Sequence, residues 1–559
     1  MDYKETSCKA TAWQANLPSL MNNLAEKWQE AANTSIIPCQ QEPKKLTTEA
    51  LCFLCVILVF VLLCLIGSSI RAYESFRKVF TKKQILQNLK EQRKETNGVA
   101  QVTAKKKEDE HLTISDWKGK CRKFFDCFSI QTNARQILST DTDQEHMDYI
   151  DGIRVLIFLC IFITHFFMFT ARALRNIDYN FQIILEMPII QFYEHTALAL
   201  DTFVLVSGFL TAYSFSNYFE KNNGKIPWFL FYTRRFVRIT PVYMAVLGFY
   251  TTLFTYISSS PVWPTYDTNP VCRKNWIWNL LYINNFITHH NQCMNMTWFL
   301  GCIMQLYMIS PLFMIPLNRW PRVGYILSVF TICGSCYATF IISKKHKIHA
   351  TLPKILNMEV LQRGTWQFFD EMYQKTYVKL TPYIIGILLG YYLHRRKLSE
   401  KNSLLTLTFG WIIYFIQMWF CLFALQNREE SAWESAMYNG IKALVFSCSL
   451  SWVIFLCATK QGGFINKLLS FPMYKPISRL SYSAFLVETI VLEAYFLSVD
   501  VFPEKLEIAK GLLLDLDWII VLAHLLLWTL VSAFVVSLLI EYPTIRLLRT
   551  YFSEKKKTS

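Results

Sequence analysis

An ionisable side chain inside an apolar segment is costly in a bilayer, so such residues are the first candidates for chemistry. The apolar segment 150–170 holds two, Arg154 and His165. Eleven residues make almost three helical turns, which puts both on one face about 16 Å apart along the axis. That spacing predicts Arg154 near the cytosolic surface and His165 near mid-membrane. A neutral imidazole there can take a proton from a hydroxyl nucleophile; a membrane histidine can equally be bonded to a neighbouring helix. Asp201 lies seven residues before Gly208, on the same helical face. It can orient a histidine or bond a helix end. In Arg234-Arg235-Phe-Val-Arg238, Arg235 and Arg238 are three apart on one face, and Arg234 is four before Arg238. Guanidinium groups bind phosphates bidentately, so this cluster suits an anionic donor such as coenzyme A. Positive-inside topology alone would also put arginines there. Glu488 and Glu541 lie in or at the ends of late apolar segments, His524 reads as a packed polar residue, and Gly386 and Gly390 have the spacing for close helix contact.

The elements that must hold these residues are membrane helices. The chain has 559 residues, of which 53% are hydrophobic and only 18% charged, against about 25% charged in soluble domains. Its apolar residues come in blocks near the roughly 20 residues that cross a bilayer. Eleven such blocks are predicted, at 51–70, 150–170, 197–217, 238–257, 297–316, 323–343, 379–394, 403–425, 436–458, 480–499 and 518–541. The expected fold class is therefore all-α, a polytopic membrane protein with about eleven transmembrane helices. The net charge of +16 clusters at the ends of the blocks, as membrane topology requires, which argues against nucleic acid as a partner. No apolar core precedes Leu51, so no signal peptide is read there. No repeated charged or Gly-rich segment suggests an ion channel.

Arg71, Arg77, Lys78, Lys82 and Lys83 follow the first block, and the bias places that side in the cytosol. The predicted organisation is an extracellular or lumenal tail over 1–50, a first transmembrane helix over 51–70, and a basic cytosolic linker over 71–148. A membrane domain over 149–545 and a basic cytosolic tail over 546–559 follow. Lys344, Lys345 and Lys347 oppose this topology, and the other loops outvote them. The chain is expected in the plasma membrane or an endomembrane. Both N-x-S/T sequons, at Asn33 and Asn295, fall on the predicted outer side. Cys272 and Cys293 share an outer loop where an oxidising compartment permits a disulfide; Cys8 and Cys39 are a second candidate pair. No His/Cys set suggests a metal site.

Taken in order, these pieces resemble the acyltransferase 3 superfamily, and more narrowly its animal "nose resistant to fluoxetine" group. The matching stretches include Cys127–Asn133, Asp151-Gly-Ile-Arg154 through His165, Asp201 through Gly208, Arg234–Pro241, Trp298 through Gln305, Ser478–Tyr482 and Glu541-Tyr-Pro543. The resemblance covers roughly 121–550. It implies a ten-helix acyltransferase bundle after the first helix, acyl-coenzyme A as donor with no tightly bound cofactor, and a hydroxyl acceptor. It also implies His165 as base and Arg235 and Arg238 as donor ligands. The group's secreted cysteine-bearing domain would be reduced here to residues 1–50. Ile303 stands where the family pattern has an acid, and Glu488 where it has a histidine. Losing an acid beside a base weakens the base's orientation. An O-acyltransferase and a non-catalytic relative handling lipids or small hydrophobic compounds are therefore both expected readings. A scaffold with a basic linker is a third.

Overall fold

The computed structural model describes residues 44–95, 116–141, 147–173, 195–260, 263–350, 366–396, 401–425, 430–498 and 516–558. Among these the protein is all helix. The main elements are α1 (Thr48–Glu95), α2 (Asp116–Cys127), α3 (Ile130–Leu138), α4 (Asp148–Ala173), α5 (Ala197–Lys221) and α6 (Trp228–Thr252). Next come α7 (Pro270–Leu280), α8 (Trp298–Ile309), α9 (Pro311–Arg319), α10 (Pro321–Lys345), α11 (Thr376–Arg395) and α12 (Leu404–Phe423). The chain closes with α13 (Ala432–Ala458), α14 (Gly463–Leu469), α15 (Tyr474–Ser498), α16 (Leu516–Val536) and α17 (Tyr542–Thr558).

Nine helical stretches among the described residues are long and apolar enough to cross a membrane, and the protein is a polytopic membrane protein. The two remaining predicted blocks are helical as well. They fall in α6, with Arg234, Arg235 and Arg238, and in α11, with Lys379; these cations dilute their apolar character. Burial sorts the helices by position. α1 and α12 show most of their apolar surface, as helices facing lipid do, whereas α5 and α8 are largely enclosed. The closest pairing joins α5 to α11. A Cβ on Gly386 would lie 2.1 Å from the Leu205 carbonyl oxygen, and one on Gly208 2.3 Å from that of Tyr383. Only glycine lets the two backbones come this near, as the Gly386/Gly390 spacing predicts.

Successive long helices alternate in direction, which gives the bundle two ends. One carries the start of α4, the end of α5 and the start of α6, and is called here the arginine end. The other carries the loops around Cys272 and Cys293, the disulfide end. The stretch expected as a linker is more ordered than its composition implies. α1 runs on 25 residues past Ile70 to Glu95, and α2 and α3 dock on the bundle. Arg546 of α17 pairs with Asp126 at 2.6 Å and donates to the Asn133 side-chain oxygen at 3.0 Å. Arg479 of α15 donates to the Gln136 and Ile137 carbonyls that end α3, a basic group where the helix dipole favours one.

Candidate functional site

His165 sits on α4 and faces α15. Its Nδ1 lies 2.8 Å from Oε1 of Glu488, with the glutamate side chain fully buried and the imidazole 13% exposed. Phe162 and Phe166 on α4 and Leu492 and Phe496 on α15 pack around this region. With Glu488 ionised, its carboxylate only accepts, so Nδ1 would carry the proton and Nε2 would keep a lone pair. Among the described residues Nε2 has no protein partner. A buried carboxylate holding one nitrogen while the other stays reachable is the arrangement of an oriented general base. The pairing corrects two expectations. Glu488 is no replacement without a role: it supplies a carboxylate from α15, while Ile303 is buried in the apolar core. His165 also lies past the middle of α4. Its neighbour Thr164 is hydrogen-bonded to Thr196 at 2.9 Å, next to the start of α5, so the imidazole belongs to the half nearer the disulfide end.

Asp201 does not orient His165. Its Oδ1 is 2.7 Å from Nζ of Lys379, both residues being buried. The ammonium also lies 4.4 Å from the centre of the Tyr373 ring. Sequence reading missed this pair because 178 positions separate the partners. The signal was Lys379 itself, since a cation in an apolar block needs a counter-ion.

At the other end, Arg154, Arg235 and Arg238 converge from α4 and α6. The charges of Arg238 and Arg235 act on Arg154, offset in part by Asp151. Among the described residues no carboxylate comes within ion-pairing distance of the three guanidinium groups. The i, i+3 and i+4 cluster expected from the sequence divides. Arg234 is exposed. Arg235 turns inward, 5.0 Å from the centre of the Tyr307 ring and 3.4 Å from Ser207 Oγ, with its Nε buried and unpartnered. Arg238 lies in the field of Glu541, whose carboxylate accepts from Ser483 at 2.7 Å and Ser537 at 2.9 Å in a π-helical turn. The motif residues Ser478 to Tyr482 tie the end together. Ser478 donates to Asp151 at 2.7 Å, and Tyr482 donates to the Ile239 carbonyl at 2.8 Å. A cleft of about 470 Å³ opens between α4 and α5, with Arg154 in its wall.

Among the described residues the disulfide end holds no comparable cluster of half-buried, unpaired cations. Cys272 and Cys293 are bonded to each other. Cys8, Cys39 and Asn33 lie outside the described residues. Asn295 is half-buried at the entry to α8, and Thr297 of its sequon is buried, donating to the Met294 carbonyl at 2.7 Å. Asp370 accepts from the His289 ring at 2.8 Å and the His289 backbone at 2.9 Å. Partial burial pushes the Asp370 pKa up, but the bonds from His289 outweigh it and leave the group below its ordinary value.

Comparison with known proteins gives the following matches. The acyltransferase 3 family, described as an acyltransferase domain, matches residues 147–544. Two curated proteins of Caenorhabditis elegans are similar. Nose resistant to fluoxetine protein 6 is 28% identical over 411 residues, covering 67% of this chain and 48% of the relative. Regulator of hypoxia-inducible factor 1 is 25% identical over 291 residues, covering 48% of this chain and 55% of the relative. The chain thus spans about half the length of the curated relatives it matches. No solved structure matches.

Proposed function

This chain belongs to the acyltransferase 3 family, and we propose that it moves an acyl group from acyl-coenzyme A to a hydroxyl acceptor. The observation that carries the reading is the hydrogen-bonded His165–Glu488 pair, with Arg154 toward the opposite end of the same helix and Arg235 and Arg238 beside it on α6. Nε2 of His165 takes the acceptor's proton as the hydroxyl oxygen attacks the thioester carbonyl carbon. The tetrahedral intermediate collapses, the carbon–sulfur bond breaks, and the imidazolium returns its proton to the departing coenzyme A thiolate. Glu488 is the positioning residue: it fixes the tautomer and stabilises the imidazolium. Arg154, Arg235 and Arg238 bind the donor's phosphates. The separation of about 16 Å between Arg154 and His165 along the helix suits an extended pantetheine arm. On this reading the arginine end faces the cytosol, where coenzyme A is held, and the N-terminus lies outside.

The test is transfer of labelled acyl groups in membranes, normalised to folded protein. His165→Gln keeps size and hydrogen bonding but cannot act as a base near neutral pH. Transfer should fall about 10²–10⁴-fold, with donor binding unchanged. Glu488→Gln should shift the pH–rate profile as well as its height, since it alters the base rather than the fold. Transfer that survives unchanged in both variants removes the mechanism. Orientation is tested separately: Val99→Thr, which completes a sequon at Asn97, should stay unglycosylated while Asn33 is modified. The second reading, a non-catalytic handler of lipids and small hydrophobic compounds, is favoured by Ile303, apolar and buried in the core. A parent protein inactive with a broad donor and acceptor panel would make it the better one.

A further inference from the structure

The cleft between α4 and α5 carries Arg154, Tyr213, Ser214, Asn217, Tyr218 and Lys221 on its polar side; Ser214, Tyr218 and Lys221 are exposed at its mouth. The side chains of Arg154, Tyr213, Ser214, Asn217, Tyr218 and Lys221 make no hydrogen bond or ion pair to the protein among the described residues. The α5 members fall at 213, 214, 217, 218 and 221, one helical face. Asp151, the acid in the wall, already accepts from Ser478.

We propose that this cleft seats the nucleotide half of coenzyme A, an adenine nucleotide bearing a diphosphate and a ribose phosphate. A purine needs flat faces and an edge that offers both donor and acceptor. Tyr213 and Tyr218 supply rings, against an apolar wall of Met147, Ile150 and Leu210. The Asn217 carboxamide both donates and accepts, as recognition of an adenine edge requires. Arg154 and Lys221 flank these groups with positive charge. The volume of about 470 Å³ falls within the roughly 300–1,000 Å³ of small-ligand sites. An anionic lipid headgroup shares the phosphate chemistry but has no use for the paired rings and the carboxamide, which favours the nucleotide. The proposal rests on the donor reading above. It assigns the base and sugar to α5, and leaves Arg235 and Arg238 to the diphosphate, where the nucleotide continues toward the thioester.

The experiment measures binding of 3′,5′-adenosine bisphosphate, coenzyme A and pantetheine to the full chain in detergent. Soluble inositol trisphosphate serves as the headgroup probe. Coenzyme A and the bisphosphate should compete for one site, with pantetheine and inositol trisphosphate much weaker. Lys221→Gln should weaken the bisphosphate about 10-fold or more and flatten its salt dependence, as loss of one charge-assisted contact does. Asn217→Asp keeps shape and should weaken it further by setting a carboxylate against the phosphates; Ser214→Trp fills the cleft and should abolish binding. Unchanged bisphosphate affinity in Lys221→Gln and Asn217→Asp overturns the placement. So does displacement of the bisphosphate by inositol trisphosphate at equal concentration, which marks a headgroup site. Acyl transfer with an unaltered donor KM in both variants removes the cleft and leaves the acyl-transfer reading standing. Cleft-dependent nucleotide binding in a chain that transfers no acyl group does the reverse.

Discussion

The two ends of the bundle differ in one cluster of charge, although the arginine end also holds matched pairs, Lys475 with Asp148 and Arg546 with Asp126. At the disulfide end charges are matched where they are buried: Lys379 with Asp201, His289 with Asp370, the latter under a loop closed by Cys272–Cys293. At the arginine end Arg154, Arg235 and Arg238 act on one another without an ion-pairing carboxylate among the described residues, and a cleft lies open beside them. A protein optimised only for stability would not set the half-buried Arg154 and Arg235 beside Arg238 this way, because like charges away from water repel. The difference teaches where to look: the unmatched charge is where we propose that the donor binds.

The largest effect expected from this comparison is on binding. Arg235→Gln with Arg238→Gln should weaken acyl-coenzyme A by about 3–6 kcal/mol, at roughly 1.5–3 kcal/mol for each charge-assisted interaction lost. Lysine at both positions should restore charge without the bidentate geometry. Thermal unfolding is the sharper readout, because the glutamine pair relieves repulsion and should leave the melting temperature level or higher. A fall in melting temperature would mean that the arginines serve the fold, and the contrast between the ends would break.

A charge removed from the disulfide end should act the other way. Lys379→Met leaves Asp201 buried without its cation, and breaking a buried pair by one partner costs about 3–5 kcal/mol. Adding Asp201→Leu removes the stranded carboxylate and should recover most of that loss. Denaturant titration of the two variants decides it. If the double variant is no more stable than the single one, the pair is not the source of the stability.

Opening the disulfide comes next in size. Cys272→Ala with Cys293→Ala frees a loop of sequence separation 21. The cost should be about 3 kcal/mol on the chain-entropy account. Non-reducing peptide mapping that found both thiols free in the parent would remove the premise.

The sequence made the helices legible because each bilayer crossing demands a local run of apolar residues, and a local run needs no partner to be seen. The same holds for the Gly386/Gly390 contact and for the arginines of α6. What stayed hidden was pairing. Glu488 read as a departure because the family pattern has a histidine there, and its pairing with His165, 323 positions away, could not be seen. Asp201 was offered to a histidine because Lys379, at the edge of a later block, was not counted as an intramembrane charge. The order in α2 and α3 was equally unreadable: it depends on Arg546 and Arg479 reaching back from the far end of the chain.

The smallest expected effect lies in the loop latch at the disulfide end. Asp370 accepts two hydrogen bonds from His289, whose ring stacks on Trp366 at 3.9 Å. With its folded pKa below the ordinary 3.8, Asp370 contributes stability at and above that value and loses it as pH falls through the folded pKa. The sign is that of a depressed carboxylate: acid loosens the latch and neutral pH holds it. Tryptophan emission followed between pH 5 and pH 2 should therefore report opening of the loop before the helices unfold by circular dichroism. Asp370→Asn keeps the shape and can still accept from the His289 backbone, but it carries no charge to titrate. It should remove the early acid transition at a cost of about 1 kcal/mol at neutral pH. An acid transition that persists unchanged in the asparagine variant would assign it to other carboxylates.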